Sequence, residues 1–397
     1  MKKLIIAFLS LFFWIAIFEG GSFLYLKKYA DPFERAKFLL YPDKTIGWRQ
    51  VSNFKGQFIN KTVTLDKNGF RNLTDESTKR QEKITILTLG PSSAFGWGTA
   101  DNETYSYILE QKLKSFWRRD VRVINASQIG FSTFQGTLLI KNIIEKGLKP
   151  DLILMAYGVN DIDRNRFYFQ GGGEDKLVLN KSNSSKSFIQ ERILQNSSFL
   201  RLTRRLMSKI SHSFLCRPLK RFPHRRVRYR DIVSNIDEIS KSFNVPTIII
   251  NTAHNYRRNS HIIFRDRAAL ETLLSKSHIH IDKHLESEKS DSNLWYLKSL
   301  NAGENGQCED AQSAFKKARQ LEEFRISKDI QELNRRLLHY SQKNSLIYVN
   351  IDAILQSVST PRDHFFVDPV HPSPKGHTKI AEEIFKNIRK RWPNGIK

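Results

Sequence analysis

The sequence predicts an α/β fold, a three-layer α/β/α sandwich around a parallel sheet of about five strands, and three observations lead there. From residue 83 onward, short, largely apolar runs alternate with amphipathic stretches of helical period. The apolar runs lack the alternation of a half-exposed strand, so both faces of the sheet must be covered. Small and polar residues follow these runs, at the edge where open α/β sheets build their sites.

The chain opens with Met1-Lys2-Lys3, then an almost wholly apolar run over residues 4–18, then Glu19-Gly20-Gly21-Ser22 and a second apolar stretch ending at Leu26. Counted through Leu26, this approaches the roughly 20 residues that a bilayer requires. No clean small-x-small cleavage site follows, so residues 1–28 are read as an uncleaved signal anchor with the body outside the cytoplasm. The alternative is a cleaved signal peptide and a secreted form. Lysines flank both ends, which leaves the positive-inside rule a weak guide to orientation.

Residues 29–82 form a small β-rich lead-in. Turn residues in Pro42-Asp43, Gly47-Trp48-Arg49 and Asn68-Gly69-Phe70-Arg71 separate alternating stretches such as Thr62-Val63-Thr64-Leu65. Residues 83–397 are the α/β domain. Its strands are expected at 84–89, 121–124, 151–156, 246–250 and 346–350. Its helices are expected at 103–117, behind an Asp101-Asn102 cap region, at 133–146 and at 374–391.

Two insertions interrupt the alternation. The first, residues 163–230, is densely basic over 201–230, where Arg204, Arg205, Lys209, Arg217, Lys220, Arg221, Arg225, Arg226, Arg228 and Arg230 occur with no acidic residue. Leu202, Leu206, Met207, Ile210, Phe214 and Leu215 are interleaved, the pattern of a surface-seeking amphipathic helix. An ordinary helix with a basic polar face fits as well as contact with anionic headgroups or glycan. The second insertion, residues 268–340, is helical; its Leu294-Trp295-Tyr296-Leu297 and Ala311 to Ala318 spacing resembles one tetratricopeptide-like helical hairpin. Such a unit buries its faces only by stacking, so packing on the α/β domain, as a lid or substrate wall, is its expected role.

With 40% hydrophobic and 26% charged residues, the 397-residue chain is expected to fold along most of its length. Its formal charge of +25 attracts anionic partners: nucleic acid, acidic lipid or anionic polysaccharide. Nucleic acid is disfavoured, because no finger, P-loop or RNA-binding signature is present. Cys216 and Cys308 are the only cysteines; they exclude a disulfide scaffold and a cysteine zinc site, and say little about redox compartment. The histidines lack ligand spacing, so neither metal nor cofactor is expected.

The chemistry concentrates in four blocks. The first strand runs into Gly90-Pro91-Ser92-Ser93-Ala94-Phe95-Gly96-Trp97-Gly98; Asn125-Ala126-Ser127-Gln128-Ile129-Gly130 follows the second; Gly158-Val159-Asn160-Asp161 follows the third; Asp368-Pro369-Val370-His371 precedes the last helix. A serine in a Gly/Pro turn alone is ordinary turn chemistry. As an ordered set over about residues 83–391, less the insertions, the blocks resemble the SGNH/GDSL hydrolase family, named for Ser, Gly, Asn and His in that order. The resemblance implies a flavodoxin-like sandwich with no cofactor. It also implies Ser92 as nucleophile, His371 as general base, Asp368 as its orienting carboxylate, and oxyanion donors from the backbone N–H of Ser92 and Gly130 and the side chain of Asn160.

This chain departs from the family signature at Pro91, which stands where the familiar motif has Asp and which removes a backbone N–H. Ser93 is the fallback nucleophile. Asp161 and Asp163 are expected to hold the Asn160 loop, and His364 and His377 to be structural. Asn255, after the fourth strand, is expected to line the pocket.

The expected activity is that of a carboxylic-ester hydrolase, working through an acyl-enzyme on ester-bearing lipid or glycan. One alternative is O-acyl or O-acetyl transfer to cell-envelope polysaccharide, with a sugar hydroxyl replacing water. Another is a non-catalytic envelope glycan-binding protein on the same fold. The lipase-type Gly-x-Ser-x-Gly elbow fits only in part, since the serine here follows the first strand of the alternating region.

Overall fold

The computed structural model describes residues 2–29, 36–43, 45–71, 84–162, 197–215, 227–256, 281–357 and 362–396. Asp163, much of the basic insertion and the helical insertion up to residue 280 lie outside the described residues.

A 28-residue helix, α1 (Lys2–Tyr29), opens the chain, and its Leu9–Leu26 window is long and apolar enough to cross a membrane. Leu11, Phe12, Trp14 and Ile15 are exposed on it, whereas Ser22 and Leu26 near its end are buried against the body. Two antiparallel hairpins follow, β1 (Leu40–Asp43) with β2 (Gly47–Gln50) and β3 (Phe54–Phe58) with β4 (Lys61–Leu65). Asp43 shapes the first turn: its carboxylate accepts from the N–H groups of Thr45 and Ile46 and pairs with Arg49 at 2.6 Å.

The alternating region begins with β5 (Ile84–Leu89), the single-turn α2 (Ser92–Phe95) and α3 (Tyr105–Trp117), then β6 (Val121–Asn125) and α4 (Thr133–Glu145). It continues through β7 (Leu152–Met155), the short α5 (Val159–Ile162), α6 (Ser198–Leu215), α7 (Tyr229–Lys241) and β8 (Thr247–Ile250). Helices α8 (Ile281–Ser287), α9 (Ser292–Glu304) and α10 (Cys308–Lys343) precede β9 (Ile347–Val349), α11 (Ile351–Ser357) and α12 (Pro374–Arg391). Helix α3 begins later than the Asp101-Asn102 reading suggests. Thr104 caps it by accepting from the Tyr107 N–H, while Asp101 turns inward to Arg71.

The five strands pair in parallel in the order β6-β5-β7-β8-β9. Alternation of side chains explains the continuous apolar runs. Ile86, Leu152, Leu154, Ile248 and Ile250 pack under α3, α11 and α12, through Leu109, Leu113, Leu355, Ile380 and Ile384. Their neighbours Leu87, Leu89, Ile153, Met155 and Ile249 pack under α4, α7 and α10, through Ile140, Ile236, Ile330, Leu333 and Leu337. Two cores on one sheet make the three-layer sandwich. Because β5 lies between β6 and β7, the chain reverses direction across the sheet at β5, and a crevice opens outside the strands' carboxyl ends there.

Helices α9 and α10 pack together through Ser299, whose hydroxyl donates to the Ala311 carbonyl at 2.6 Å, and through the Tyr296 and Phe315 rings. Past Arg325 the same rod, 36 residues long, sends Ile326, Ile330, Leu333 and Leu337 into the sandwich core. Helical pair and core helix are therefore continuous. Helix α6 docks on α1, where the Glu19 carboxylate accepts from the backbone N–H groups of Ser198 and Phe199 and from the Ser197 hydroxyl. Cys308, at the start of α10, is disulfide-bonded.

Candidate active site

Ser92 stands first in the single turn that follows β5, and is 5% exposed. Pro91 is extended (φ −86°, ψ −161°) as the cap of that turn, and its carbonyl accepts from the N–H groups of Ala94 and Phe95. A proline suits a cap position, where the missing N–H leaves no helical bond unmade. The turn closes at Gly96, whose φ of 94° is left-handed. A β-carbon there would lie 2.7 Å from Arg71, Thr99 and Thr104, so glycine is required sterically as well as conformationally.

On the other side of the crevice, the loop before α12 folds back on itself. The Val367 N–H donates to the His371 carbonyl at 2.9 Å and the Ser373 N–H to the Phe365 carbonyl at 2.8 Å. Asp368 divides its carboxylate between two tasks. Oδ1 accepts from the backbone N–H groups of Val370 and His371 at 3.0 and 2.9 Å, and Oδ2 lies 2.6 Å from His371 Nδ1. Burial raises the Asp368 pKa, but the hydrogen bonds from the His371 ring and from the two backbone donors outweigh it, holding the carboxyl below its usual range. Ionised, it can only accept, so Nδ1 must carry the ring proton. In the neutral ring this makes Nε2 the acceptor, and it lies 2.8 Å from Ser92 Oγ.

Ser92, His371 and Asp368 are thus brought together from positions up to 279 residues apart. The ring bond goes to Ser92 and not to its half-buried neighbour Ser93.

Gly130 and Asn160 leave β6 and β7 beside this line. Gly130 has φ 81°, and neither its N–H nor that of Ser92 has a hydrogen-bond partner among the described residues. The Asn160 amide donates to the Phe131 carbonyl at 3.0 Å, which uses one of its two hydrogens and orients the other. Asp161 ties the same two loops together. Its carboxylate accepts from the Thr133 hydroxyl at 2.6 Å and from the Thr133 N–H, and Asn235 donates to that hydroxyl at 3.0 Å.

Sequence reasoning missed the braces that the lead-in supplies. Arg71 is 5% exposed and pairs with Asp101 at 2.9 Å; its guanidinium also donates to the carbonyls of Phe95, Gly96 and Thr99 and lies over the Phe95 ring. Asn125, from β6, donates to the same Phe95 carbonyl. Gln50 and Gln128 hold the Gly130 loop. The Gln50 N–H donates to Gln128 Oε1, Gln50 Oε1 accepts from the Ile129 N–H, and Trp48 Nε1 donates to the Ile129 carbonyl. The turn signal at Asn68-Gly69-Phe70-Arg71 placed Arg71 at a chain reversal but carried no hint of its partners.

Asn255 is half-buried at the exit of β8, and its backbone N–H donates to the Pro369 carbonyl at 2.7 Å, inside the Asp368–His371 loop. His364 is exposed, and its carbonyl accepts from Ser373 Oγ. His377 is fully buried and stacks on Tyr105, and Nδ1 accepts the Tyr105 N–H at 3.2 Å. Burial first, then the positive charge of Arg71, pull its pKa down to about 3, so it is neutral. Asp163 lies outside the described residues.

A hydroxyl, a neutral imidazole accepting from it and a carboxylate fixing the tautomer can together move a proton on and off a serine oxygen. No family model matches the chain, and no curated protein matches it. Among solved structures it is similar to a member of the lipolytic G-D-S-L family from Veillonella parvula, at 12% identity over 76% of this chain and 97% of that one, with a TM-score of 0.38. It is similar also to a catalytic mutant of an acetylxylan esterase from Geobacillus stearothermophilus, at 12% over 78% and 96%, TM-score 0.35. A third is a lipase/acylhydrolase from Enterococcus faecalis, at 13% over 78% and 96%, TM-score 0.36. The chain's own sheet order and its four blocks give it the fold that its resemblance to the SGNH/GDSL hydrolases implied.

Proposed function

We propose that the chain is a membrane-tethered serine esterase that acts outside the cytoplasm on the carboxyl esters of a lipid or glycan. What supports this reading above all is the unbroken path from Asp368 through His371 to Ser92, with contacts of 2.6 and 2.8 Å. Ser92 Oγ attacks the ester carbonyl and its proton passes to His371 Nε2. Asp368 stabilises the resulting imidazolium. The carbonyl oxygen, now negative, is met by the N–H groups of Ser92 and Gly130 and by the Asn160 amide. Collapse releases the alcohol, which takes the proton from His371, and leaves an acyl group on Ser92. Water, activated by His371, then frees the acid.

Tethering is supported by the apolar Leu9–Leu26 window. The exposed Phe199, Leu200, Leu206 and Met207 of α6 continue that apolar surface, since the rings of Phe18 and Phe199 lie 5.6 Å apart. With Arg204 alongside, the helix suits an anionic bilayer surface.

The test is incubation of the full chain in detergent with nitrophenyl esters of acetate and longer acids, with and without a polysaccharide acceptor. Free acid from wild type and none from Ser92→Ala supports hydrolysis. Acyl enrichment of the glycan with little free acid replaces hydrolysis by transfer on the same residues. Neither product from a folded protein overturns the enzymatic reading.

A further inference from the structure

Trp97 lies in the turn that presents Ser92, yet no step above uses its side chain. Its backbone N–H donates to the Ser92 carbonyl at 3.1 Å, and the residue is 4% exposed. The indole stacks on the His371 imidazole with centroids 4.9 Å apart and planes within 14°. Phe58, from the lead-in, meets the far ring edge-on at 5.1 Å and 84°, which holds the indole plane in place.

We propose that Trp97 is a positioning residue for His371 whose π face stabilises the imidazolium formed when Ser92 gives up its proton. The inference rests on the serine-esterase reading.

While the His371 ring is neutral, the stack is an aromatic contact. When the Oγ–H bond breaks and the Oγ–carbon bond forms, the proton reaches Nε2 and the ring carries a full positive charge. Two groups then face that charge from different directions, the Asp368 carboxylate in the ring plane at Nδ1 and the indole face across it. The indole presents the negative lobe of its quadrupole, and burial leaves the attraction unscreened by water. Of the neighbouring titratable groups, His377 stays neutral and Arg71 is paired with Asp101 at 2.9 Å. The contribution appears only as charge develops, so it raises kcat and leaves KM alone. Cation–π attraction of this kind corresponds to roughly 2- to 30-fold in rate.

The experiment replaces tryptophan throughout the full chain, in detergent, with 5-fluoro-, difluoro- and trifluorotryptophan, in wild type and in Trp97→Phe. Each fluorine withdraws π density with little change of shape. The readout is kcat and KM for a nitrophenyl ester. The expected result is a stepwise fall of log kcat with fluorine number in wild type, at constant KM, and no fall in Trp97→Phe, whose phenyl ring retains part of the activity. A flat series in wild type, or the same slope in both proteins, overturns the inference while the esterase reading stands. An unsubstituted wild type that neither turns over the ester nor labels at Ser92 overturns that reading, and the inference with it.

Discussion

Arg71 and Asp101 form a buried ion pair, Nε to Oδ1 at 2.9 Å, beside the turn that carries Ser92. The pair joins a lead-in residue to the turn that precedes α3, and the guanidinium spends its remaining donors on the carbonyls of Phe95, Gly96 and Thr99. Removing one partner strands a charge in a site with almost no water. Arg71→Met or Asp101→Leu alone is expected to cost about 3–5 kcal/mol, and the double variant less than the sum of the two. Urea midpoints of the four proteins measure this; strict additivity would show that the pair does not couple.

Asn160→Ala removes the side-chain donor assigned to the oxyanion while leaving Asp161 to tie the loops. The expected loss is about 100- to 1,000-fold in kcat with KM nearly unchanged. Asp161→Ala acts one step removed, by freeing the loop from Thr133, and should lower kcat together with thermal stability. Equal kcat for Asn160→Ala and wild type would strike that amide from the mechanism.

Asp368→Asn keeps the shape of the loop but not the charge that fixes the His371 tautomer. A fall on the order of 10⁴-fold in kcat is expected, with little change in the melting profile, since the amide oxygen can still accept from the Val370 and His371 N–H groups. Steady-state kinetics and thermal melts on the same preparation separate the two effects.

His377 supplies a pH test of the fold. Its folded-state pKa of about 3 lies below the ordinary 6.5, so between these values the unfolded chain binds one more proton than the native one. Its stabilising contribution is therefore complete above pH 6.5 and is lost as pH falls towards 3. The native protein should lose about 1.4 kcal/mol per pH unit more steeply than His377→Gln across that window. Denaturant midpoints at pH 7, 6 and 5 check it, and parallel slopes would mean that His377 is protonated inside the fold.

What the sequence made legible follows from the same physics. Strands covered on both faces are largely apolar, so Ile84 to Leu89, interrupted only by Thr85 and Thr88, and Leu152 to Met155 announced themselves, and site residues had to fall where those runs ended. Asp368 and His371 lie three apart in one loop, a local pattern. Arg71 was illegible because its partners, Phe95 to Asp101, lie 24 to 30 positions away, and no periodicity encodes a contact made through backbone carbonyls. Asp101 read as part of a helix cap for a related reason: an aspartate before a helix caps it by default, and only the buried guanidinium turns it elsewhere. The extent of α10 escaped because one amphipathic rod changes partner midway, from α9 to the sheet.

The account depends on Ser92 Oγ being the atom that His371 activates. Labelling the full chain with a fluorophosphonate probe, then mapping the modified peptide by mass in wild type, Ser92→Ala, Ser93→Ala and His371→Ala, tests this most directly. One adduct on Ser92 is predicted, retained in Ser93→Ala and lost in the other two variants. An adduct that survives Ser92→Ala and disappears with Ser93→Ala would contradict it.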